Sequence, residues 1–256
     1  ETRVRDFMRS KAFGWDIPAF ARQLRLGGFG APPPPAFRVL SISGGGFMGF
    51  YTALVLAEME KRAERPLGEC FDLISGTSIG GIIALALSQG VPMQEVGSAL
   101  DERGEEIFPQ RALSRSQIFQ LMDTMRQLSG AKYDVQALRD TIARFLPEEL
   151  RMRDIGRRVA IPAVNLSRGT PHVFRTGYAP RREDEKCWLD TPAIDVALAT
   201  SAAPTLLPIH EISGEYFSDG GTFANSPDQI ALHEAEIICG IPSERVEMLS
   251  VGTSSA

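Results

Sequence analysis

The sequence predicts an α/β protein with a mainly parallel central sheet, and three observations carry that prediction. Two strand–turn–helix units follow one another early in the chain, at 37–63 and 71–88. Each has glycines in its turn and a helix after it, the arrangement that joins parallel strands, because a helical crossover returns the chain to the same end of the sheet. The third observation is length: 256 residues suffice for one substantial domain but not comfortably for two separate cores.

The elements follow in chain order. Residues 1–31 carry six basic and three acidic side chains among scattered aromatics, and Pro32 to Pro35 then make a stiff spacer. Residues 1–35 are therefore expected to be an arm, packed on the domain or on a neighbouring subunit of a homo-oligomer, with 36–256 the folded domain. Residues 37–43 read as a buried strand. Phe47, Phe50, Tyr51, Leu54, Val55 and Met59 then recur at helical spacing, predicting a helix over 47–63. The second unit is a short strand at 71–74, a tight turn at 76–80 and an apolar helix at 82–88. Further strands are expected at 158–164, 172–175, 215–218 and 246–251, and helices at 93–106, 116–128, 134–145, 192–200 and 227–238. The chain starts at Glu1 rather than Met and stops just after the last expected strand, so it is expected to be part of a longer protein.

Composition narrows the function classes. A net charge of −5 gives no sign of binding to a nucleic-acid polymer. The three cysteines, Cys70, Cys187 and Cys239, are odd in number and share no spacing, which argues against a disulfide framework or a metal cluster and for a reducing, cytoplasmic compartment. The most apolar stretch, 79–87, is far shorter than the roughly 20 residues of a membrane span. No metal and no cofactor is expected.

Chemistry concentrates at the turns. Gly76-Thr77-Ser78-Ile79-Gly80 lies between a strand and a helix, where a G-x-S-x-G sequence forms a nucleophile elbow. Small residues around the serine, Gly76, Thr77 and Gly80, permit the cramped turn, and the following helix aims its N-terminal dipole at developing negative charge. The first turn, Gly44-Gly45-Gly46, offers unshielded backbone N–H groups for an oxyanion. Read as Gly44-x-Gly46-x-x-Gly49, the same loop also matches a dinucleotide-binding fingerprint, yet the second strand ends in Ile74-Ser75-Gly76 rather than in an acidic residue, and Asp72 comes too early.

Ser78 needs a base. Asp219, followed by Gly220 and Gly221 at the end of an expected strand, can activate it directly as a dyad. Alternatively Ser78, Asp219 and His233 form a triad in the α/β-hydrolase order. Two glycines after Asp219 favour the dyad, because they let the chain turn sharply enough to bring a carboxylate to another loop. His172, His210 and His233 read as packing or surface residues.

Three blocks in this order, Ser43 to Gly49, Gly76 to Gly80 and Asp219-Gly220-Gly221, resemble the patatin-like phospholipase family, and Ala199-Thr200-Ser201-Ala202-Ala203-Pro204 is a fourth similar block. The resemblance covers most of the chain after the spacer. It implies a three-layer α/β/α patatin-like hydrolase domain over 36–256 that cleaves acyl esters of phospholipids without a metal. Ser78 would be the nucleophile, Asp219 its base and Gly44 to Gly46 the oxyanion hole. Two positions depart from the family: Ser43 stands where an acid usually precedes the glycines, and Met48 where a basic residue usually follows. The stretch 71–87, with Asn225-Ser226-Pro227-Asp228 and residues 231–235, is more particularly similar to the bacterial patatin-like effectors of anti-phage signalling. That likeness implies a latent enzyme, activated by a cyclic dinucleotide to degrade phospholipid at the inner face of the membrane.

Residues 116–128 place Ile118, Leu121, Met122, Met125 and Leu128 on one helical face, flanked by Arg111, Arg115, Arg126 and Lys132. Such a helix either packs on the core or lies at a lipid surface as a lid.

Overall fold

The computed structural model describes residues 36–107, 135–179 and 188–253. The expected arm and spacer, the 116–128 helix and Cys187 lie outside these residues.

The first unit is β1 (Phe37–Ile42), a 3₁₀ turn at Gly46–Met48 and α1 (Gly49–Ala63). The second is β2 (Leu73–Gly76) and α2 (Ile79–Ser88). There follow α3 (Met93–Ile107), α4 (Val135–Ala143), β3 (Arg158–Asn165) and β4 (Thr170–Arg175). The chain then forms α5 (Ala193–Thr200), β5 (His210–Ile212), β6 (Glu215–Asp219) and the single turn α6 (Gly221–Ala224). It ends with α7 (Asp228–His233), a π-helical turn at Glu234–Ile238, and β7 (Val246–Val251). The expected strand at 71–74 starts and ends two residues later. Asp72 stays outside it, its carboxylate accepting the Arg38 N–H at 2.9 Å.

The strands form one seven-stranded mixed sheet in the order β5-β6-β3-β2-β1-β7, with β4 also on β3. β7, β1, β2 and β3 run parallel, while β4, β5 and β6 join antiparallel. Side chains alternate between two apolar clusters. Leu40, Ile42, Ile74 and Ile161 face α1 to α5. Phe37, Val39, Leu73 and Ala160 face Ala231 and Ala235 of α7 and its π turn. Both faces are covered, which is why the central strands read as near-continuous apolar runs, and the architecture is three-layered α/β/α. Arg175 on β4 clamps the thinner layer to the sheet: its guanidinium donates to both carboxylate oxygens of the fully buried Glu234, at 2.8 and 2.7 Å, and the Tyr178 hydroxyl donates to the same carboxylate.

One detail of register positions the site. Ala160 pairs with Ser75 of β2 and with Arg175 of β4, whereas Ala163 pairs with Asp219 of β6 and with His172 of β4. A strand residue has two edges, so with β4 along one edge of β3 the other is shared, by β2 first and then by β6. The two strands meet nearly end to end along that edge, β2 arriving at Gly76 and β6, running the opposite way, at Asp219.

Candidate active site

The elbow sits where β2 stops. A Cβ at Gly76 would collide with the Gly80 carbonyl, and one at Gly80 with the Ile42 carbonyl, so both glycines are sterically required. Ser78 itself has φ 55° and ψ −126°, a region that costs a side-chain-bearing residue about 1–3 kcal/mol and persists only when its surroundings enforce it. The enforcement is visible. The Thr77 N–H donates to the Ile42 carbonyl (3.1 Å), the Thr77 hydroxyl to the Ala224 carbonyl (2.7 Å) and the Ser78 N–H to Thr200 Oγ1 (3.0 Å). The turn leaves Ser78 at the N-terminal end of α2.

Asp219, the last residue of β6, faces it. Ser78 Oγ donates to Asp219 Oδ2 at 2.7 Å, and the Gly221 N–H donates to Asp219 Oδ1 at 2.6 Å. Asp219 is only 5% exposed. Burial pushes its carboxyl above the ordinary range, and the two hydrogen bonds pull back against that without cancelling it. A carboxylate so raised is a better proton acceptor than one in water, as a general base needs to be.

The glycine loop closes the third side. The Gly44 N–H donates to the Asn225 carbonyl at 2.8 Å, while the Gly44 carbonyl accepts the Thr253 hydroxyl at 2.8 Å. Gly44 is thus a fixed anchor whose N–H is already spent, which leaves Gly45 and Gly46 as the candidate oxyanion donors. A Cβ at Gly45 would collide with Thr253, and one at Gly49 with Ile79, so these glycines let the loop lie against the elbow and the segment that follows β7.

Ser78, Asp219, Gly45, Gly46 and Asn225 open onto a cavity of about 250 Å³. Its other walls are mainly apolar, with Ile79, Ile82, Leu138, Leu206 and Leu207 among them. Among the described residues no three His, Cys, Asp or Glu side chains converge as a metal site requires.

Two alternative readings of the sequence are corrected here. The Ser78/Asp219/His233 triad is not built. His233 ends α7 in the layer on the other face of the sheet, its side chain is 54% exposed, and its Nδ1 lies 3.9 Å from Glu234. Both Asp219 oxygens are meanwhile taken by Ser78 and Gly221. His210 lies against Asp195 (3.3 Å). His172 packs among the rings of Phe174, Trp188 and Phe217, and burial, then Arg175, lowers its pKa to about 4. The dinucleotide fingerprint fails as well, because β2 ends in Ser75-Gly76 and Asp72 is tied to Arg38 at the opposite end of the strand.

Residues 40–232 match the family described as Patatin-like phospholipase. This chain belongs to the patatin-like phospholipase family. A cGAMP-activated phospholipase of Escherichia coli (strain TW11681) is 41% identical to it over 211 residues, covering 78% of this chain and 56% of that protein. A protein of the same description from Vibrio cholerae is 38% identical, covering 87% of this chain and 67% of its own length. The Pseudomonas aeruginosa counterpart is also 38% identical, covering 86% and 63%. The chain therefore spans somewhat over half to two thirds of these relatives.

Among patatin-like proteins the departure at Ser43 now has a structural context. The Ser43 hydroxyl donates to Ser226 Oγ (3.1 Å), whose own proton goes to Asp228 (3.0 Å), so a hydroxyl relay reaches a carboxylate in place of an acid at position 43. Nothing in the structure explains Met48. Thr200, Asn225 and Thr253 are the site residues that sequence reasoning missed. Thr200 and Asn225 do lie within the family-like blocks, but only contact in three dimensions gives them a task.

Proposed function

We propose that this chain is the hydrolytic domain of a phospholipase A-type lipid acyl hydrolase working through a Ser78–Asp219 dyad. The observation that carries the reading is the 2.7 Å hydrogen bond from Ser78 Oγ to a buried carboxylate at the wall of a mainly apolar cavity. As Ser78 Oγ attacks the ester carbonyl carbon, its proton passes to Asp219 Oδ2, and the oxyanion forms beside the Gly45 and Gly46 N–H groups and the N-terminus of α2. Collapse breaks the ester C–O bond, and the departing lysolipid oxygen takes the proton from Asp219. Water then attacks the acyl-serine, giving its proton to Asp219, and the fatty acid leaves as Ser78 Oγ recovers a proton. The apolar wall suits an acyl chain.

The relatives named cGAMP-activated phospholipases support a second part of the proposal: the whole protein is latent until a cyclic dinucleotide binds, and then acts on phospholipid. Action at the cytoplasmic face of a membrane, in anti-phage defence, is what the resemblance to the bacterial effectors adds to it. No helix of the described residues is long and apolar enough to cross a membrane.

The test is fatty-acid release from phospholipid vesicles by the full-length protein, with and without a panel of cyclic dinucleotides, with Ser78→Ala as control. Ligand-dependent release that Ser78→Ala abolishes is expected. Release independent of every ligand would remove the activation proposal and spare the hydrolase; release by Ser78→Ala would remove the dyad.

A further inference from the structure

We propose that Thr200 is a positioning residue of this site, a single hydroxyl that fixes the nucleophile elbow and ties it to the turn carrying the base. The proposal rests on the Ser78–Asp219 reading above.

Thr200 is fully buried at the last position of α5. A helical threonine ordinarily returns its hydroxyl to a carbonyl one turn back. Thr200 instead donates across the layer to the Pro162 carbonyl, at 2.6 Å, and accepts the Ser78 N–H at 3.0 Å. Pro162 lies in the gap on β3 between the β2 and β6 pairings, where a proline's missing N–H leaves no bond unmade. The hydroxyl therefore bridges the seam at which the two strands meet.

The same short segment holds the base. The Thr200 carbonyl accepts the Gly220 N–H at 3.3 Å, and two residues later the Ala202 carbonyl accepts the Asp219 N–H at 2.9 Å and the Ser218 hydroxyl at 3.1 Å. Residues 200–202 thus touch the backbone of both dyad members. Ser78 is the part most in need of it, because its backbone conformation is unfavourable and its N–H is turned inward. Without the hydroxyl that N–H has no acceptor, the elbow relaxes, and Ser78 Oγ moves off the line to Asp219 Oδ2. Only a group that donates and accepts at one point does this. Serine qualifies, whereas valine, of the same shape, does not.

The experiment compares Thr200→Ser, Thr200→Ala and Thr200→Val with the parent and with Ser78→Ala in the full-length protein under activating conditions. It reads the rate of Ser78 labelling by a fluorophosphonate, kcat and KM on a soluble ester, and hydrogen exchange of the peptide spanning 76–82. Thr200→Ser is expected to stay within about threefold of the parent; Thr200→Val and Thr200→Ala should label and turn over about 10- to 100-fold more slowly, with KM little changed, the size of loss that displacing a reacting group by about 1 Å produces. Exchange in 76–82 should rise in the same two variants and not in Thr200→Ser. Labelling of Thr200→Val at the parental rate would overturn the proposal. So would equal losses in Thr200→Ser and Thr200→Ala, which share a missing methyl and differ only in the hydroxyl; that pair decides the matter if Thr200→Val does not fold. A parent that reacts no faster than Ser78→Ala would instead sink the Ser78–Asp219 reading itself.

Discussion

Asp219 is required to be buried and yet to ionise, and its contacts set the terms. Its folded pKa is raised, so the native state holds the proton more tightly than the unfolded chain. Between the unfolded and folded pKa values the native state binds more protons, and stability falls as pH rises through that window. The ionised base is therefore a cost at neutral pH. Asp219→Asn is expected to abolish fatty-acid release while raising Tm at pH 7–8, and the gain should disappear in scans below the ordinary carboxylate pKa of about 4. In the parent, kcat/KM should fall on acidification through the raised pKa, above that ordinary value, with the acid limb read from a pH–rate profile. Ser78 and Asp219 were legible in the sequence because each stands in a local pattern, glycines flanking a serine and glycines following an aspartate, whose steric purpose can be read without a partner. Thr200 was not: a threonine that donates sideways looks, in one dimension, like any threonine at a helix end.

At the scale of elements the glycines divide by what they touch. Gly76→Ala drives a Cβ into the Gly80 carbonyl, a backbone atom that cannot give way without opening the elbow. It should lower stability by about 2 kcal/mol or more and stop fluorophosphonate labelling, as expected where a strained turn is broken. Gly97→Ala, inside α3, meets only side-chain atoms at ordinary contact distance, Leu54 at 3.4 Å and Ala53 at 3.8 Å. It should be neutral or stabilising by about 0.5–1 kcal/mol in chemical denaturation, because alanine removes the helix cost of glycine. The strand–turn–helix units, β7 and most helices were readable from period and punctuation. β5 was not, since three residues are too few to show alternation, and neither was the π-helical end of the expected 227–238 helix, which begins at Glu234, the residue whose carboxylate accepts from Arg175.

For the whole molecule, the antiparallel addition of β6 beside β2 on one edge of β3 brings together residues 141 positions apart. The tandem strand–turn–helix units pointed to the α/β class, and the family-like blocks anticipated the layers, but this edge-sharing is a non-local pairing with no local signature. Among the described residues the layer on α7's side of the sheet is thin, and Glu234 is its buried anchor. Glu234→Ala removes that partner from the partly exposed Arg175 and should cost about 1–3 kcal/mol, the consequence of losing charge-assisted hydrogen bonds at a half-buried guanidinium, measured as a lowered midpoint of unfolding.

If Ser78 is activated by Asp219 without a histidine, the two residues separate in initial rates of fatty-acid release from phospholipid vesicles by His233→Ala and Asp219→Asn, measured side by side with the activated parent. His233→Ala should release fatty acid at the parental rate and Asp219→Asn about 10³-fold or more slowly, as for removal of a group that acts in the transition state. Near-complete loss in His233→Ala, or substantial turnover in Asp219→Asn, would rule out the dyad.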